Sequence, residues 1–91
     1  MKEIPNKKFT EQDTAASMLL VCLNSIPTQG LNIAEIRARR RVADVCEATK
    51  KSTAVIKLED ADYAVAQAVI KDTRWLSIGK HISEFSALFG L

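Results

Sequence analysis

Residues 53–58, Thr53-Ala54-Val55-Ile56-Lys57-Leu58, followed directly by Glu59-Asp60-Ala61-Asp62, decide the fold. Half of the first six side chains are β-branched and the run is short, which predicts a strand of about five residues. The acids behind it suit the first turn of a helix, where the dipole favours negative charge. A lone strand leaves its N–H and C=O groups unpaired. The stretch around Lys7-Lys8-Phe9 is the expected partner, with the same strand of a second subunit as the alternative. One strand pair in a chain that otherwise reads as helix predicts a mainly α domain, with about four helices and one short two-stranded β element. A small α+β fold is the neighbouring description.

Working outward, Tyr63, Ala66, Val69 and Ile70 recur at helical spacing, so a helix should run from the acids to Thr73 or Trp75. Trp75-Leu76-Ser77-Ile78-Gly79 reads as a corner. A last helix beginning near Lys80 then carries Ile82, Phe85, Leu88 and Phe89 on one stripe and closes at Gly90-Leu91. Upstream, Asn32 stands as an N-cap with Glu35 three residues on, and Leu31 and Ile36 occupy the positions of a hydrophobic staple. This helix should reach Ala48 or Thr49, with Lys50, Lys51 and Ser52 as a basic connection suited to its C-terminal end. The first helix should be capped by Thr10, with Asp13 three residues later, and run through Ala15, Met18, Leu19, Cys22 and Leu23 to Ile26. Pro27 ends it, since the residue before proline is pushed out of the helical region. Thr28-Gln29-Gly30 is the turn between the two helices.

Ninety-one residues suit one domain, because single cores organise about 100–150 residues. Residues 1–9 read as an N-terminal arm that could supply a short strand, and 10–91 as a single helical domain. A composition of 47% hydrophobic and 26% charged residues is that of a folded protein. Small cores are marginal, so a homo-oligomer is expected. Cys22 and Cys46 lie on apolar stretches with no metal-binding spacing and read as buried, reduced thiols. The apolar run from Ala15 to Leu23 is far below the ~20 residues of a membrane span, and no signal-peptide pattern precedes it. The expectation is a cytoplasmic protein that needs neither metal nor cofactor.

Arg37-Ala38-Arg39-Arg40-Arg41 gathers four of the 13 Lys+Arg residues on the second helix. At about 100° per residue, Ala38, Val42, Ala43, Val45 and Cys46 share one half of the wheel, while Arg37, Arg40, Arg41, Asp44 and Glu47 share the other. For the three outward arginines, a solvated face is favoured, with Arg40 and Arg41 pairing Asp44. The alternative is a phosphate-contacting stripe of Arg37, Arg40 and Arg41, extended by Lys50 and Lys51, in a small nucleic-acid-binding regulator. A helix-turn-helix is poorly matched: the linker from Pro27 to Asn32 is long, and Ile33-Ala34-Glu35-Ile36 stands where base-contacting residues belong. Arg39 lies inside the apolar arc between Ala43 and Cys46 and therefore requires a partner. It should snorkel to the rim, pair Asp60 or Asp62, or reach a second subunit.

No catalytic constellation accompanies these features. The single histidine, His81, has no nucleophile or orienting acid marked beside it, and no Walker loop, GxGxxG or HExxH is present. Glu59, Asp60 and Asp62 read as a helix start, since a calcium loop needs more oxygen donors and a glycine turn. The expectation is that the protein is not an enzyme. The stripe Ile82, Phe85, Leu88, Phe89, with Leu91, closes the core or offers an apolar face to a partner. With Arg39, these are the candidate interface residues.

Leu58-Glu59-Asp60-Ala61-Asp62-Tyr63-Ala64, then Arg74-Trp75 and a helix beginning near Lys80, resembles the pattern of small uncharacterised proteins of tailed bacteriophages and prophages. Those proteins carry a helix rich in Arg and Asp, a short strand, a Leu-x-Asp/Glu-Ala-Asp-Tyr segment and a Trp corner. The similarity spans roughly Gly30 to Phe89. It implies a phage product made in the host cytoplasm, acting in particle assembly or host-partner binding rather than in catalysis.

Overall fold

In a computed structural model describing residues 1–49, 52–76 and 78–91, the chain runs β1 (Lys2–Pro5), α1 (Ala15–Leu23), α2 (Ile33–Ala48), β2 (Val55–Leu58), α3 (Asp60–Asp72) and α4 (Lys80–Leu88). Four helices and a two-stranded antiparallel sheet make a small α+β fold, as the sequence leads one to expect.

The partner of β2 is Lys2–Pro5, in the register Lys2↔Leu58 and Ile4↔Ile56, and not the stretch around Lys7-Lys8-Phe9. Burial explains the choice. Ile4, Ile56 and Leu58 all turn into the core, while Glu3 and Lys57 face water, so this register puts the three fully buried side chains of the ribbon on one face. The Lys7–Phe9 backbone is used elsewhere: the Lys7 carbonyl accepts from the Ala15 N–H at 2.9 Å, and the Phe9 N–H donates to the Asp13 carbonyl at 2.8 Å. Between strand and helix, the buried Asn6 acts as a clamp. Its Nδ2 donates to the Thr53 carbonyl at 3.0 Å, and its Oδ1 accepts from the Ala16 N–H at 3.0 Å.

The first helix starts later and stops earlier than the sequence predicts. Thr10 is not its cap; the Thr10 hydroxyl accepts from the N–H groups of Gln12 and Asp13 and closes a turn ahead of the helix. Thr14 takes the capping role, its hydroxyl accepting from the Ser17 N–H while the Ser17 hydroxyl accepts from the Thr14 N–H. At the far end, Ser25 Oγ donates to the Val21 carbonyl, which a longer helix would have bonded itself, and Asn24 Nδ2 adds a second bond to the Leu20 carbonyl beside that from its own N–H. A turn closed from Gly30 N–H to the Pro27 carbonyl, with Gly30 at φ 77°, leads to α2.

Helix α2 begins as expected: Asn32 Oδ1 accepts from the Glu35 N–H at 2.8 Å, and Glu35 Oε1 accepts from the Asn32 N–H at 3.1 Å. Helix α1 packs against both α2 and α3, and its Leu19 and Cys22 meet Val42, Cys46, Ala66 and Ile70 in the core. Helix α4 closes the other side. Phe85 and Phe89 are fully buried, with ring centroids 5.5 Å apart, and Trp75 and Tyr63 flank them. Gly90, at φ 76°, ends α4 in a Schellman arrangement, with the Leu91 N–H reaching the Ser86 carbonyl and the Gly90 N–H reaching that of Ala87.

Candidate functional site

The sequence points to α2, and its geometry divides the arginine run into separate tasks. Arg40 donates through Nε to Asp44 at 2.9 Å and through Nη2 to Glu47, so two carboxylates of its own helix hold it, and both pairings raise its pKa, Glu47 most strongly. Arg41 does not pair with Asp44. Its Nε donates to Asp62 at 3.2 Å and ties α2 to α3, with the Asp62 side chain only 14% exposed. Arg37 is exposed and makes no ion pair or hydrogen bond among the described residues. Lys50 and Lys51 lie outside the described residues.

Asp44, Glu47 and Asp62 therefore offset the charge of Arg37, Arg40 and Arg41, with two of the carboxylates on Arg40 and one on Arg41. Such a face focuses little positive field, and a polyanion would have to displace intramolecular partners to engage it. The strand that follows α2 pairs with the N-terminal β1, so among the described residues it forms no hairpin that could serve as a DNA-contacting wing. The opening turn of α2 meets solvent with Ile33 and Ile36, and these offer no hydrogen bonds to base edges.

Arg39 is half-buried, as its place in the apolar arc requires, but neither Asp60 nor Asp62 is its partner. Nη1 donates to the carbonyl of Leu23 at 3.0 Å and to that of Ser25 at 3.3 Å. Leu23 is the last residue of α1 and Ser25 follows its cap, so the guanidinium sits where a helix leaves acceptors unsatisfied and its dipole is negative. A cation there is hydrogen-bonded and electrostatically favoured without any carboxylate.

Compared with protein-family models, with curated proteins and with solved structures, the chain matches none. The terminal stripe is largely committed to the fold: Phe85 and Phe89 are buried, Ile82 and Leu88 pack half-buried against the core, and only Leu91 is exposed. It is a closing helix rather than a free apolar face.

The exposed apolar surface lies instead at the α1–α2 junction. Ile26, Ile33 and Ile36 are 55%, 62% and 46% exposed. Ile33 and Ile36 are neighbours at i,i+3 on α2, and Ile36 shares a groove of about 160 Å³ with Leu23, Ile26, Leu31 and Ala43. Leu31 and Ile36, the staple pair, thus line one apolar depression open to solvent. The sequence carried this signal in the staple itself, but nothing local says that the pair stays uncovered.

Both cysteines are buried. Burial pushes Cys46 from its ordinary 9.0 up to about 12, and pushes Cys22 upward too, with a hydrogen bond to the Thr73 side chain and the charge of Arg39 opposing. Protonated, buried thiols are poor nucleophiles. No group of three His, Cys, Asp or Glu side chains suited to a metal occurs among the described residues, and no helix among them is long and apolar enough to cross a membrane.

Proposed function

We propose that this chain is a non-enzymatic protein-interaction factor of a tailed phage or prophage, working in the host cytoplasm in particle assembly or host-partner binding, and that it self-associates. The observation that carries the reading is the apolar surface of Ile26, Ile33 and Ile36 beside an open groove. Its surroundings suit an interface: Arg39 and Arg40 border the groove, supplying a polar rim around an apolar centre. The phage context rests on the resemblance of residues 58–64 and 74–75.

Light scattering tests the self-association directly. The expected result is a mass that rises with concentration above the 10.1 kDa of one chain and falls back towards it in Ile33→Gln/Ile36→Gln. A monomer at every concentration would remove self-association from the reading. The unpaired Arg37 keeps nucleic acid as the second reading. Duplex DNA binding with a steep salt dependence, lost in Arg37→Ala/Arg40→Ala/Arg41→Ala, would replace the interaction reading with it.

A further inference from the structure

A cleft of about 820 Å³ separates the loop between α1 and α2 from the C-terminal end of α3. Its volume lies in the range of ligand pockets, ~300–1,000 Å³. Arg39 stands in its lining, fixed by the carbonyls of Leu23 and Ser25 through Nη1 alone, and Nε and Nη2 make no hydrogen bond among the described residues. Lys71, in the last turn of α3, and Arg74, just beyond its end, line the same cleft, exposed and in no ion pair among the described residues. This differs from the neighbouring Arg40 and Arg41, whose charges are taken up by acids of the chain itself.

Two carboxylates also line the cleft. Glu35 is already engaged, because its Oε1 accepts from the Asn32 N–H; Asp72 is exposed in the last turn of α3. Three cations against two acids leave one net positive charge in the cleft and donors open to an outside acceptor. The guanidinium edge of Arg39 is pre-organised for a carboxylate, since its rotamer is already held. Ile26 and Pro27 add an apolar wall.

We infer that this cleft receives an acidic peptide segment of a partner protein, with one carboxylate on the free edge of Arg39, further carboxylates on Lys71 and Arg74, and apolar side chains against Ile26 and Pro27. The inference rests on the interaction reading and names the chemistry of the partner. A peptide fits better than a nucleic-acid backbone because Asp72 would repel a continuous phosphate chain, whereas a peptide can place its carboxylates singly.

The test is a titration of the isotope-labelled full chain with a capped pentapeptide of alternating glutamate and alanine, followed by amide shifts. Saturable shifts confined to residues 25–29, 39 and 71–74 are expected. Binding should weaken at least about tenfold with the glutamine counterpart of the peptide, and equally in Lys71→Gln/Arg74→Gln, as loss of charge-assisted hydrogen bonds implies. Both substituted side chains are exposed, and an unchanged Tm confirms the fold of the variant. Absence of saturable shifts, equal binding of the glutamine peptide, or indifference to the double substitution would each overturn the inference. Stronger engagement of the same amides by duplex DNA would also overturn it and reassign the cleft to nucleic acid. If the peptide fails while light scattering still reports self-association, the cleft inference falls and the interaction reading stands.

Discussion

Arg39 spends its charge on the end of α1, which makes it a structural cation with one edge to spare. Replacing it by methionine keeps most of the packing and removes two charge-assisted bonds to helix-end carbonyls. An expected loss of about 1–2 kcal/mol, discounted for its partial exposure, should appear in urea unfolding. Arg40→Ala, which removes only exposed pairs, should leave the unfolding midpoint nearly unchanged. The thiols give a pH signature. Cys46 ionises at about 12 in the fold and near 9.0 when free, so the unfolded chain releases this proton first as pH rises. The stabilisation is complete below pH 9 and is lost progressively between about 9 and 12. Native protein at pH 8 should resist thiol reagents that label it fully in denaturant. The inward position of Arg39 is legible in the sequence because the wheel depends only on helical pitch. Its partner is not, because backbone carbonyls carry no residue signature.

At the scale of elements, α2 is legible at both ends, since its capping box is local chemistry written in Asn32 and Glu35. The start of α1 is ambiguous in sequence because Thr10 and Thr14 each offer a hydroxyl with a polar residue three positions on. Tertiary contacts separate them: Asn6 Oδ1 binds the Ala16 N–H and the Lys7 carbonyl binds the Ala15 N–H, which places the first turn after Thr14. Thr14→Ala should therefore cost about 1 kcal/mol, the usual value of an N-cap, and Thr10→Ala clearly less. Asn6→Ala should cost more than either, about 2–3 kcal/mol, because it removes both bonds of a buried side chain and takes the acceptor from the buried Ala16 N–H. Thermal and urea unfolding of the three variants side by side checks the order. The strand pair follows the same lesson: β2 is legible from its composition, but its partner is fixed by which register buries Ile4 against the core, a condition that exists only in the assembled fold.

The whole molecule has a Cα radius of gyration of 12.4 Å, close to the ~12 Å expected of a 91-residue globule. Its core consumes the terminal aromatic stripe, and Phe85→Ala should cost about 3–5 kcal/mol, enough to threaten folding of a domain this small. What the core leaves outside is the isoleucine surface at the α1–α2 junction, with Leu76 and Ile78 fully exposed at the corner before α4. Composition alone could not separate covered from uncovered apolar residues, because both kinds sit at helical spacing. Lys71 and Arg74 were equally invisible as companions of Arg39, being more than thirty residues away in sequence and joined to it only by the fold. Amide spectra recorded from dilute to concentrated protein report both whether copies meet and where. The expected result is concentration-dependent change centred on Ile26, Leu31, Ile33 and Ile36. Spectra that do not change with concentration, or that change only around the terminal helix, would contradict the account.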